Sequence, residues 1–176
     1  MPNIEAGSFG LAIAFLAPGT VGLWGIGLYV PTIREWFGAT AQSQATAGGF
    51  LFVLLASMAV GLFLSGLRQE ILDRLLFERT LKIRRPVPSK NRLAQPEVIA
   101  AIRFSAESFY RYYQFYANMA FALAFAYVAW LVHDWGWSPT RYAGVGLLLL
   151  SIVVLIMSAT YSLRRYYESL EGIFAD

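Results

Sequence analysis

The chain contains no cysteine and one histidine, His133. Without thiols there are no structural disulfides, no dithiol redox exchange and no thiolate metal sites. One histidine also excludes bis-histidine haem ligation and polyhistidine metal sites within a single chain. Charge is scarce too. Asp, Glu, Lys and Arg make up 14% of the 176 residues, against 57% hydrophobic, where a water-soluble domain carries about a quarter charged. Four windows, 6–33, 36–67, 112–132 and 142–163, hold no Asp, Glu, Lys, Arg or His. They run 28, 32, 21 and 22 residues, each long enough for the roughly 20 apolar residues that cross a bilayer as a helix. None offers a lysine for Schiff-base chemistry, or the carboxylate that ion-coupled transporters keep on their path. No P-loop, no GxGxxG after a strand and no GxSxG elbow occurs. The chain therefore reads as non-enzymatic, with no catalytic residue, cofactor or metal ligand to name.

What is present is an all-α integral membrane protein, a single membrane domain over 1–176. Its expected spans are about 9–30, 50–67, 112–132 and 142–163, forming a four-helix bundle. Met1–Gly10 lacks the basic residues of a signal peptide and leads into too long an apolar run, so span one is expected to be retained. Pro18-Gly19 lies mid-span and predicts a kink. Gly10, Ala14, Pro18 and Gly22 recur every four residues, as do Ser57, Gly61 and Ser65 in span two. Such small-residue stripes let helix backbones approach closely in lipid, within the chain or between copies.

Residues 31–47 read as the first loop. Past span two, Leu67, Ile71, Leu72, Leu75 and Leu76 prolong an apolar face to about Leu81, with Glu70–Arg74 and Glu78–Lys82 as i,i+4 pairs. Gln95-Pro96-Glu97 is a helix start. The helix Glu97–Arg111 is expected to turn Val98, Ile99, Ile102, Ala106 and Phe109 to one side. The run from Tyr110 to Tyr116 suits the headgroup layer, and Trp130, Trp135 and Trp137 form a belt at the other end of span three. Ten of the 14 cations lie in 67–115. By the positive-inside rule the layer and basic loop 67–111 are cytoplasmic. An even number of spans then places both termini in the cytoplasm, in the inner membrane of a bacterial cell.

Five groups of residues are functional candidates. Arg79, Lys82, Arg84, Arg85, Lys90 and Arg92 occupy an acid-free run, 79–96, suited to docking anionic lipid heads or an acidic partner. Nucleic acid is not an expected partner, because the nearby aromatics sit at the membrane interface rather than on a free stacking surface. Asn118, an amide inside span three, must find a hydrogen-bond partner in another helix, another copy or a permeating species. Ser151, Ser158 and Ser162 form a hydroxyl stripe on span four that either lines a pore or bonds back to its own helix. His133-Asp134 and the pair Glu70/Asp73 complete the set. The first has the composition of a proton-sensitive pair, the second of a Mg²⁺ site, although Arg68 and Arg74 beside it favour salt bridges.

The expectation from these residues is a homo-oligomeric, channel-like or membrane-perturbing effector gated through its cytoplasmic layer. The alternative is a membrane anchor or scaffold that recruits a soluble cytosolic partner. Bacterial stress and phage-defence systems offer analogies for both. A lipid-modifying enzyme is a third possibility, and it would have to draw on Glu70, Asp73, Asn118 and the loop arginines.

Overall fold

A computed structural model describes residues 5–38, 47–80, 86, 95–133 and 139–175. Those residues are all-helical, with no strand among them. The helices are α1 (Glu5–Gly27), α2 (Pro31–Trp36), α3 (Ala47–Arg68), α4 (Pro96–Ser105), α5 (Arg111–His133) and α6 (Pro139–Ala175). Three stretches are long and apolar enough to cross a membrane: Gly48–Arg74, Pro96–His133 and Ala143–Phe174. The apolar part of α1 among the described residues is the shorter Ile13–Gly27.

Local chemistry sets the helix ends. α1 runs unbroken through Pro18. At its C-terminus, Arg34 donates from Nε to the Gly27 carbonyl at 3.3 Å and from Nη2 to that of Leu28 at 2.6 Å. A cation there satisfies orphan carbonyls at the negative end of the helix dipole. Pro31, expected to open a loop, instead stands at the first position of α2, after an extended Val30. Proline has no N–H to lose at that position, and its fixed φ suits the helix. Pro96 opens α4 in the same way after an extended Gln95, with Glu97 in the first turn. α3 does not stop at Arg68 but continues as a more widely wound, π-helical arm, Gln69–Thr80. A similar turn, Ala106–Tyr110, joins α4 to α5.

α1 lies against both α3 and α5, and α6 packs along α5 and touches α4. The α1–α3 crossing is backbone on backbone. A Cβ at Gly19 would overlap the Ser57 carbonyl oxygen, and one at Gly61 the Phe15 carbonyl oxygen. On the α5 side a Cβ at Gly25 would come 3.0 Å from the Ala126 Cα. The buried residues are mostly small: Ala14, Ala117, Ala120, Ala122, Ala126, Ala159 and Ser57. Large apolar side chains face outward instead, among them Phe50, Leu55, Leu62 and Phe63 on α3 and Leu147, Leu150, Val154 and Met157 on α6. On α4 the inward residues are Val98 and Ser105, while Ile99 is exposed. Of the expected apolar face, Val98 is buried, Ile102, Ala106 and Phe109 are half-buried and Ile99 is exposed, and α4 packs against α6.

Candidate functional site

Charge and polarity concentrate where α3, α5 and α6 meet. Arg68 closes α3 and is 2% exposed. Its Nη1 lies 3.5 Å from Asp73 Oδ1, and its guanidinium carbon lies 5.1 Å from the centroid of the Tyr113 ring. The Tyr113 hydroxyl donates to the same Asp73 oxygen. Residues five apart point to different sides of an α-helix, and π winding with its i→i+5 repeat draws them together. The arm's change of winding at Gln69 thus brings Asp73 back over Arg68. Tyr113 packs with Ala117 on its own helix and with Ala159 and Leu163 of α6, with Leu72, Tyr110, Tyr166 and Tyr167 around them. The rings of Tyr110 and Tyr113 are 5.5 Å apart, those of Tyr110 and Tyr166 5.1 Å. Arg68 Nε and Nη1 are buried without a hydrogen-bond partner among the described residues.

The paired-carboxylate reading of Glu70 and Asp73 resolves into ion pairs. Glu70 accepts from Arg74 at 2.8 Å on the exposed side, while Asp73 turns inward to Arg68. No cluster of metal-binding side chains occurs among the described residues. Of the basic candidates, Arg79 lies within the arm Gln69–Thr80. Lys82, Arg84, Arg85, Lys90 and Arg92 lie outside the described residues.

Asn118 is fully buried, and its Nδ2 donates to the Ala14 carbonyl of α1 at 3.1 Å. Beside it, Thr20 donates back to the Leu16 carbonyl and lies 3.1 Å from the Ser57 hydroxyl across the α1–α3 contact. Ala14, Pro18, Gly22, Ser57 and Gly61 are all buried between the chain's own helices. Ser65 is half-buried, and Gly10 lies in the first turns of α1. The hydroxyl stripe of α6 is divided. Ser151 donates to the Leu147 carbonyl at 2.8 Å, Ser158 is half-buried, and Ser162 is 8% exposed.

At the opposite end, Tyr29 donates to the Ala129 carbonyl at 2.7 Å and meets the exposed His133 ring edge-on at 5.3 Å. Asp134, Trp135 and Trp137 lie outside the described residues. Between the two ends the helices leave open apolar grooves. One of about 320 Å³ is lined by Val21, Trp24, Leu123, Tyr127, Trp130 and Leu148. Such a groove suits an acyl chain. It lacks the converging polar groups that orient a substrate.

Sequence reasoning weighed Arg68 only as a flank of Glu70 and Asp73, and Tyr113 only as one of an aromatic run. A signal for Tyr113 was available: Ala117 and Ala120 follow it at i+4 and i+7, marking a small-residue, inward-facing seam. No family model, no curated protein and no solved structure matches the chain.

Proposed function

We propose that the chain is a four-span bundle in the inner membrane with both termini in the cytoplasm, acting as a non-enzymatic anchor that docks a partner through its cytoplasmic layer. The observation that carries the membrane part is the distribution of size, with alanine and serine making up about half of the buried residues and many large leucine, phenylalanine and valine side chains facing outward. In water such a surface would drive aggregation, whereas in lipid small residues at helix contacts are what packing requires. Tyr113 and Trp130 stand 17 residues apart on α5. At ~1.5 Å per residue that is about 26 Å, close to the ~30 Å hydrocarbon core. The Arg68–Tyr113 cluster then lies at the cytoplasmic headgroup level.

Docking is favoured over conduction by where the polar groups are engaged. Asn118 serves α1, Thr20 serves α3, and Ser151 serves its own helix. Each of these three donors is spent on the chain's own helices. The channel-like homo-oligomer is the second reading, and α6 supports it. Its outward row of Leu147, Leu150, Val154 and Met157 is exposed, and a second copy would cover it as well as lipid does. The deciding experiment is the mass of the detergent-purified particle followed by ion flux in liposomes. Docking expects liposomes that stay ion-tight. Flux carried by a ring of copies would replace it with the channel reading.

A further inference from the structure

Arg68 is the one buried charge among the described residues, and it is underpaired. A guanidinium is a planar fork that carboxylate or phosphate satisfies with two parallel hydrogen bonds. Here Asp73 approaches from one side at 3.5 Å, and its near oxygen also takes the Tyr113 hydroxyl. Nε and Nη1 have no hydrogen-bond partner among the described residues. A buried cation left in that state is costly, and a better oxyanion will compete for it. The neighbourhood supplies positive charge to draw one in. Arg111, paired with Glu107 at 3.2 Å, lies two residues before Tyr113 on α5, and the exposed Arg164 follows Leu163 of the same cluster on α6.

We propose that Arg68 binds the phosphate of an anionic phospholipid headgroup, and that Asp73 and Tyr113 form the clasp which that phosphate opens. The inference rests on the membrane reading above, which puts this cluster at headgroup depth. When phosphate oxygens take Nε and an Nη of Arg68, Asp73 is repelled by the arriving anion and leaves. The Tyr113–Asp73 hydrogen bond that ties the arm Gln69–Thr80 to α5 is then lost together with the Arg68 ion pair, and the arm parts from Tyr113. Lipid charge is thereby reported to the segment that leads into the basic loop.

The chain has no cysteine, so Leu72→Cys, half-buried against the tyrosine cluster, reports the clasp by its alkylation rate. The full chain is placed in nanodiscs of phosphatidylcholine, of phosphatidylcholine doped with phosphatidylglycerol, and of phosphatidylcholine with added inorganic phosphate. Phosphatidylglycerol should speed alkylation about tenfold, the scale of one charge-assisted hydrogen bond, and inorganic phosphate should not. Arg68→Gln should react fast in every disc. Arg68→Lys, which keeps the charge without the fork, should lose the lipid response. Tyr113→Phe should raise the starting rate and keep the response. Arg74→Gln, which breaks only the exposed pair, should match the parent. Equal parent rates in the two lipids, or an Arg68→Gln chain that responds like the parent, would overturn the proposal. Acceleration by inorganic phosphate in phosphatidylcholine discs would overturn the lipid as its source. Co-elution of chain and lipid scores the membrane reading separately.

Discussion

Asn118 on α5 donates its side-chain amide to the carbonyl of Ala14 on α1, 3.1 Å away, and Ala14 is the residue whose carbonyl Pro18 leaves without a partner. In an α-helix the carbonyl of residue 14 accepts the N–H of residue 18, and proline has none. Ala14 and Asn118 are fully buried, so no solvent replaces that bond and the neighbouring helix supplies it. One amide therefore makes an otherwise disruptive proline tolerable in the middle of α1.

The two residues should consequently be energetically coupled. Asn118→Ala is expected to cost about 1–2 kcal/mol by leaving a buried carbonyl unpaired. In a Pro18→Ala background the restored N–H serves Ala14, and the same substitution should cost less than about 1 kcal/mol. A double-mutant cycle on unfolding in mixed micelles measures the difference. Strict additivity would show that the amide and the proline act independently.

The α1–α3 crossing makes a graded prediction. Gly19→Ala and Gly61→Ala put a methyl into the backbone of the facing helix, which cannot give way, and should cost about 3 kcal/mol or more. Gly22→Ala meets Leu64 Cδ1 at 2.6 Å and Val60 Cγ1 at 3.0 Å, both movable side-chain ends, and should cost about 1 kcal/mol. Gly66→Ala and Gly144→Ala meet nothing within 4 Å and should be tolerated. Thermal unfolding in one detergent orders the series. Loss of self-association at Gly61 with the chain's own fold intact would mean that the stripe joins copies instead.

The helices were legible because charge-free windows and end signals are local properties. Pro96 reads from the sequence as a helix start and is one, whereas Pro31 reads only as a stop, since the short α2 has no periodicity of its own to announce it. Small-residue spacing pointed to Pro18, Gly22, Ser57 and Gly61. It passed over Gly19, which lies off the four-residue stripe yet makes the tightest contact. Asn118 was recognisable as needing a partner, but Ala14 lies 104 residues away and only the tertiary packing brings it there. Arg68 was hidden for a similar reason. At the edge of an apolar window a cation normally reaches out to the headgroups. Its burial depends on Tyr113 from another helix and on the change of winding that returns Asp73 to it.

Topology can be read with single cysteines in this cysteine-free chain. Ser89→Cys, in the basic loop, should resist a membrane-impermeant thiol reagent in intact cells and react after lysis. His133→Cys, at the other end of α5 and exposed, should react in intact cells. The reasoning is the positive-inside rule, with ten of 14 cations in 67–115. Labelling of Ser89→Cys in intact cells would invert the orientation and move the docking layer outside.

The charge of the basic loop separates docking from mere orientation. Arg79, Lys82, Arg84 and Arg85 follow one another where the arm of α3 gives way to Pro86, in an 18-residue stretch, 79–96, with no acid. Each cation near an anionic leaflet contributes about 1 kcal/mol, and that attraction fades within a Debye length. If these charges serve topology alone, Arg84→Glu with Arg85→Glu should lower insertion or leave activity unchanged. If they dock a partner or a lipid surface, the double variant should insert and assemble normally while its cellular effect is lost. Its parent's binding to anionic vesicles should weaken steeply as salt rises, and the variant's weaker binding should respond less. Docking is the expected outcome, because orientation needs only an excess of cations over the outer loop, where Arg141 is the only one after His133 and before Arg164. Normal insertion, assembly and activity in the double variant would remove the loop from the mechanism and leave recruitment to the Arg68–Tyr113 end of the bundle.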